Sequence, residues 1–220
     1  MISSYKEDGM FTSDEEGKLI RRYDELTMED IDSFNGELEY EIAKMYWYYY
    51  VYDEEADLKN TKKSISDNNS GVTASISWLE KALDKKMINK EDENRAAIML
   101  GIASFHKNIS VCEKESIDKG MYYEFVCNVK EMIMLIKNED NDNLKIRFLF
   151  KEISGIDSYL LKIKIDGVDR KDIYYICTET DNILKSISEK NISIDDLQKY
   201  KKIREILKNI HDKIPEIYEQ

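Results

Sequence analysis

Apolar residues recur along this chain at spacings of three and four. From 119 to 137 they fall at Tyr122, Phe125, Val126, Val129, Met132, Ile133 and Ile136, one stripe of a helix. TASISWLEKALDKK, from Thr73, repeats the pattern with Ile76, Leu79 and Leu83 on one face and Trp78 and Ala82 beside it. Start signals divide the rest. Ser13-Asp-Glu-Glu16 is a capping box that predicts a short helix to about Thr27, after a loose arm over residues 1–12. Thr27-Met-Glu-Asp30 repeats that signal less well, Asn35-Gly36 interrupts it, and a long helix is predicted from about Glu37 to Lys59. The polar stretch NTKKSISDNNSG, 60–71, predicts a loop, as does NEDNDN, 138–143. Asn89-Lys-Glu-Asp92 caps the helix containing RAAIMLGIASFHKNI. Asp169 to Ser188 is another predicted helix, and Ser193-Ile-Asp-Asp196 caps the last, which runs towards Ile210. Residues 144–165 fit two patterns. LKIRFLF and YLLKIKI alternate as in a β-hairpin, whereas a helix would group Ile146, Leu149, Phe150, Ile153, Ile156, Leu160 and Ile163. The helical surroundings favour helix.

Composition narrows the class. The 220 residues include one proline and eight glycines, too few breakers for a sandwich or barrel of many tight turns, so the expected fold is all-α. A net charge of −12 makes nucleic acid and anionic membrane poor partners and suits a basic protein. Cys112, Cys127 and Cys177 are too widely spaced for a zinc site or a disulfide framework. The N-terminal stretch lacks the basic flank and apolar core of a secretion signal, and the expected setting is cytoplasmic.

SISWLEKAL, 75–83, resembles the second helix of a tetratricopeptide repeat. EIAKMYWYYY, 41–50, and IMLGIASFH, 98–106, resemble the first. Candidate small positions support a repeat. Ala43, Gly101 and Gly155 lie 58 and 54 residues apart, and Ser75, Cys127 and Thr178 lie 52 and 51 apart. The resemblance implies antiparallel helical hairpins of some seven to eight helices, stacked as a short α-solenoid over a single domain, 13–220. The units are longer than the family standard, and its closing proline is missing. In that family the inner face binds peptides, which here implies a protein- or peptide-binding adaptor or regulator without catalytic residues, metal or cofactor. The positions so implied are Lys44, Trp47 and Tyr48, then Ile102, Phe105 and His106, then Ile156 and Tyr159. They include part of the densest aromatic run in the chain, Tyr46 to Tyr52. Seven successive helical positions cover every direction around the axis, so neighbours must contact that helix on most sides.

Two other function classes compete. Arg204 and His211, in KKIREILKNIHDKI, resemble the arginine–histidine pair of HEPN-type ribonucleases, in which the two converge on an RNA phosphate. The tyrosine that follows soon after the histidine in that family is absent. Ile203, Leu207, Ile210, Ile214 and Ile217 form a 3-4 seam that Arg204 and His211 would merely flank. An acidic mimic of nucleic acid is the third class, weakened by 33 basic residues interleaved with 45 acids. Asn138 to Asp142 begins like a calcium loop but lacks its glycine and closing glutamate.

Overall fold

The computed structural model describes residues 23–26, 34–52, 65–85, 87, 89–112, 117–158 and 171–218, without the side chains of 49, 65–69, 109–112, 158 and 213–218. The expected arm, the capping box at Ser13 and Tyr159 lie outside these residues. Among them the chain is all-α, with seven α-helices and no strand: α1 Glu37–Tyr46, α2 Ile65–Asp84, α3 Lys90–Cys112, α4 Lys119–Lys137, α5 Asp142–Ser158, α6 Lys171–Ser186 and α7 Ile194–Tyr218. It packs as two compact units, Met1–Lys107 and Asn108–Gln220.

In the first unit α1 pairs antiparallel with α2, and glycines set the approach at both ends. Gly36 has φ +86°, and a Cβ there would stand 2.5 Å from the carbonyl oxygen of Ala82. At the other end a Cβ on Gly71 would stand 2.2 Å from Cγ of Tyr50. The expected loop over 60–71 is therefore corrected from residue 65 onward. Asn, Ser and Gly disfavour helix, but Gly71 and Val72 are buried in the pairing, and packing overrides propensity. Gly71→Ala should destabilise the unit by about 1–3 kcal/mol in urea unfolding. An exposed helical glycine would instead gain ~1 kcal/mol from the same change.

The predicted long helix changes character after Tyr46. Trp47–Val51 is a π-helical turn, in which the amide of Tyr52 donates to the carbonyl of Trp47 at 3.0 Å. The wider turn brings the rings of Trp47 and Tyr52 into a stack, 5.5 Å apart at 16°. Trp47 has no exposed surface, and its Nε1 donates to the carbonyl of Met99 in α3 at 2.9 Å.

In the second unit α4 packs on α5 and α6, and α7 packs on α5 and α6. Contacts fix the directions. Lys130–Asp172 and Lys137–Glu179 advance together, so α4 and α6 run parallel; so do Asn143–Ser193 and Arg147–Asp196, so α5 and α7 run parallel. The sequence resemblance pairs α5 with α6, but the main neighbours of α5 are α4 and α7. Residues 144–158 are helical, not a hairpin. Ser193 caps α7 as expected: its Oγ accepts from the amide of Asp196 and donates to that carboxylate.

Burial recurs with a period. The buried set Leu38, Glu39, Ile42, Ala43 and Met45 of α1 reappears in α3 as Ile98, Met99, Ile102, Ala103 and Phe105, and in α5 as Phe148, Leu149, Glu152, Ile153 and Gly155. In α7 it becomes Lys199, Tyr200, Ile203 and Ile206, with Arg204 exposed where the others bury Ala43, Ala103 and Ile153. A second set, Gly71, Val72, Ser75, Leu79 and Ala82 of α2, returns as Phe125, Val126, Val129, Ile133 and Ile136 of α4. It returns again as Ile176, Cys177, Thr180, Leu184 and Ile187 at α6. The register is displaced by two residues from the small positions picked out in the sequence. Ala43 corresponds to Ala103 and Ile153, not Gly101 and Gly155, and Cys127 is exposed.

Candidate functional site

The residues expected to line a groove fall mostly inside the protein. Trp47, Ile102, Phe105 and Ile156 are enclosed, so in this packing they are core residues and present no surface to a partner. Lys44, Tyr48 and His106 are half-buried. Lys44 pairs with Glu41 at 2.5 Å and lies 4.9 Å from the Tyr40 ring centroid. Tyr48 meets Trp47 and Tyr52 edge-on, and His106 meets Phe105 edge-on at 5.7 Å. The aromatic run is thus mainly a packing device.

Arg204 and His211 are set against different tyrosines. The Arg204 guanidinium lies 5.9 Å from the Tyr200 ring and donates to its hydroxyl at 3.5 Å. His211 meets the Tyr174 ring at 5.4 Å and 85°. The described members of the expected seam, Ile203, Leu207 and Ile210, are buried, as is Ile206.

A surface that the sequence pattern did not single out stands on α6. Ile173, Ile176, Cys177 and Thr180 turn inward, which leaves Tyr174 and Tyr175 outward on either flank of the helix. Tyr174 reaches His211 of α7. Tyr175 reaches α4, where its hydroxyl donates to Met134 Sδ at 3.9 Å and Lys130 Nζ lies 5.1 Å from its ring centre. Exposure is 49% for Tyr174, 42% for Tyr175 and 44% for Met134. Ion pairs close both ends of this α4–α6 seam, Lys130–Asp172 at 2.8 Å and Lys137–Glu179 at 3.1 Å. The hydrogen bond from Lys130 to Asp172 raises the ammonium pKa, and the hydrogen bond from Lys137 lowers that of Glu179. Both pairs keep contact with solvent and contribute orientation more than stability.

No protein family, curated protein or solved structure matches the chain. What it does must follow from its own surfaces.

Among the described residues no group of three or more His, Cys, Asp or Glu could hold a metal ion. The turn at 138–141 spends its polar groups on its own backbone: Glu139 accepts from the Asn141 amide, and Asn141 accepts from the amides of Asn143 and Leu144. Burial pushes the Cys177 thiol up to about 12, away from reactivity. No described helix is long and apolar enough to cross a membrane. One further ionisable side chain, Glu152, is wholly enclosed in α5 without a hydrogen-bond partner for either oxygen.

Proposed function

We propose that the chain is a non-enzymatic helical-repeat protein that binds a protein partner through the exposed face of Met134, Tyr174 and Tyr175. The observation that carries this reading is the exposure of those three side chains, each more than 40%, along the outward side of α6: Met134 and Tyr175 meet at the α4–α6 seam, and Tyr174 follows on the flank towards α7. Interface centres favour tyrosine and methionine because they supply large, adaptable contact area, and a polar rim such as the two ion pairs shields it. The recurring burial register supports the repeat resemblance. The net charge of −12 favours a basic partner and speeds its arrival. A cytoplasmic setting suits Cys127 and Cys177, which are both unbridged.

The engagement of Arg204 with Tyr200 and of His211 with Tyr174 supports a rim role over phosphate cleavage. Bases paired with acids across the α4–α6 seam do not imitate a row of phosphates.

A photoreactive residue placed at 175 should give a discrete protein adduct, while the same residue at exposed Glu124 or Lys202 should not. Equal labelling at all three positions, or none at 175, would remove the basis for this face.

A further inference from the structure

One position of the register shared by α1, α3, α5 and α7 is held by Ile42, Ile102, Glu152 and Ile203, all wholly enclosed. A site shaped for a branched alkyl chain offers a carboxylate neither water nor a donor, and both Glu152 oxygens are without a hydrogen bond. The main described neighbours of α5 do not compensate. From α4 the inward stripe is Tyr122, Phe125, Val126, Val129, Ile133 and Ile136, apolar but for the Tyr122 hydroxyl. Its Lys130 and Lys137 pair with α6, and its Glu124 and Glu131 are exposed. From α7 the buried charges are Asp196 and Lys199, tied to each other and to Arg147, while Asp195, Lys201, Lys202, Arg204, Glu205, Lys208 and Asp212 are exposed and His211 is half-buried. On α5 itself Lys151 is the adjacent buried charge, and Asp142, Lys145, Arg147 and Asp157 are half-buried.

We propose that Glu152 is a proton-linked switch in the core of the second unit. With the carboxyl neutral, α5 is held between α4 and α7; loss of the proton loosens α5 from α7.

The burial also sets the direction of the proton linkage. Burial alone pushes the carboxyl from its ordinary 4.5 up to about 8. The folded unit therefore holds this proton more tightly than the unfolded chain does. Its contribution to stability is full below pH 4.5, declines as pH rises, and is lost above about pH 8. That interval corresponds to as much as roughly three-thousandfold in the folding equilibrium.

The test uses the full chain. Carbon-13 NMR should show the Glu152 carboxyl titrating well above the ordinary glutamate range. Hydrogen exchange, compared at matched pH between the wild type and Glu152→Ile, should show α5 and α7 amides losing protection in the wild type alone between about pH 6 and 9. Protection should differ by a hundredfold or more at the upper end. Glu152→Gln should likewise lose the pH dependence. Amides of α1 and α2 in the first unit should respond equally in all three proteins. A wild-type carboxyl titrating near 4.5, or a Glu152→Ile protein that keeps the wild-type pH profile, would overturn the switch.

Discussion

Trp47→Ala is expected to lower the stability of the first unit by about 3–5 kcal/mol, the cost of cutting a buried aromatic to alanine. The indole has no accessible surface, stacks on Tyr52, meets Tyr48 edge-on and donates from Nε1 to the carbonyl of Met99. Its removal opens a cavity between the π-helical turn and α3 and releases the contact that holds them together. Urea unfolding followed by circular dichroism measures the change. A loss under 1 kcal/mol would mean that the ring faces solvent, as a peptide-lining residue would.

Asp196→Ala should cost the second unit about 3 kcal/mol at neutral pH, because it strands charges rather than merely deleting one. The carboxylate accepts from Arg147 Nε at 3.0 Å and from its Nη2 at 3.1 Å. It also accepts from Ser193 Oγ at 2.7 Å and from Lys199 Nζ at 3.3 Å. Arg147 keeps some access to solvent, which holds the loss to the lower end of the range for a buried pair. Burial alone would raise this carboxyl, but the hydrogen bonds from Arg147 and Ser193 and the charges of Arg147 and Lys199 outweigh it, and its pKa lies below the ordinary aspartate value. A depressed folded pKa gives stability that is present above the unfolded value near 3.9 and is lost as pH falls through the folded one. The difference between wild type and Asp196→Ala, followed by urea unfolding, should therefore shrink in acid. A difference that is constant down to about pH 2 would contradict the ion-pair account.

The helical class was legible because each helix carries its stripe openly. The six residues Tyr122, Phe125, Val126, Val129, Ile133 and Ile136 are all buried on α4 as the spacing predicts. The π-helical turn at Trp47 was not legible. A run of rings looks the same whether the turn closes on the fourth or the fifth residue, and only the partners of Trp47 and Tyr52 decide. The helix start before Gly71 was hidden for a related reason: its polar residues favour a loop until Tyr50 is known to need the space above the glycine. A period near fifty residues was visible, but small residues marked it two positions out of register, because Cys127 and Gly101 are small without being buried in the shared set. Glu152 lies in LFKEISG, where an amphipathic helix would turn it to water. Burial of α5 at Lys151, Glu152 and Ile153 in succession encloses it instead. Tyr174 and Tyr175 are a common pair in sequence. Their neighbours, Met134 of α4 and His211 of α7, come alongside only in the fold.

The most direct measurement is affinity for the partner captured at position 175, taken with stability on the same sample of Tyr174→Ala/Tyr175→Ala. Interface tyrosines commonly contribute about 2 kcal/mol each, so the double variant should bind the partner at least roughly thirtyfold more weakly. Its unfolding free energy should stay within about 1 kcal/mol of wild type, since both residues lie at the surface, 49% and 42% exposed. Unchanged affinity in the folded double variant would contradict the exposed-face account, the more so if Lys44→Ala/Tyr48→Ala/His106→Ala abolished binding instead.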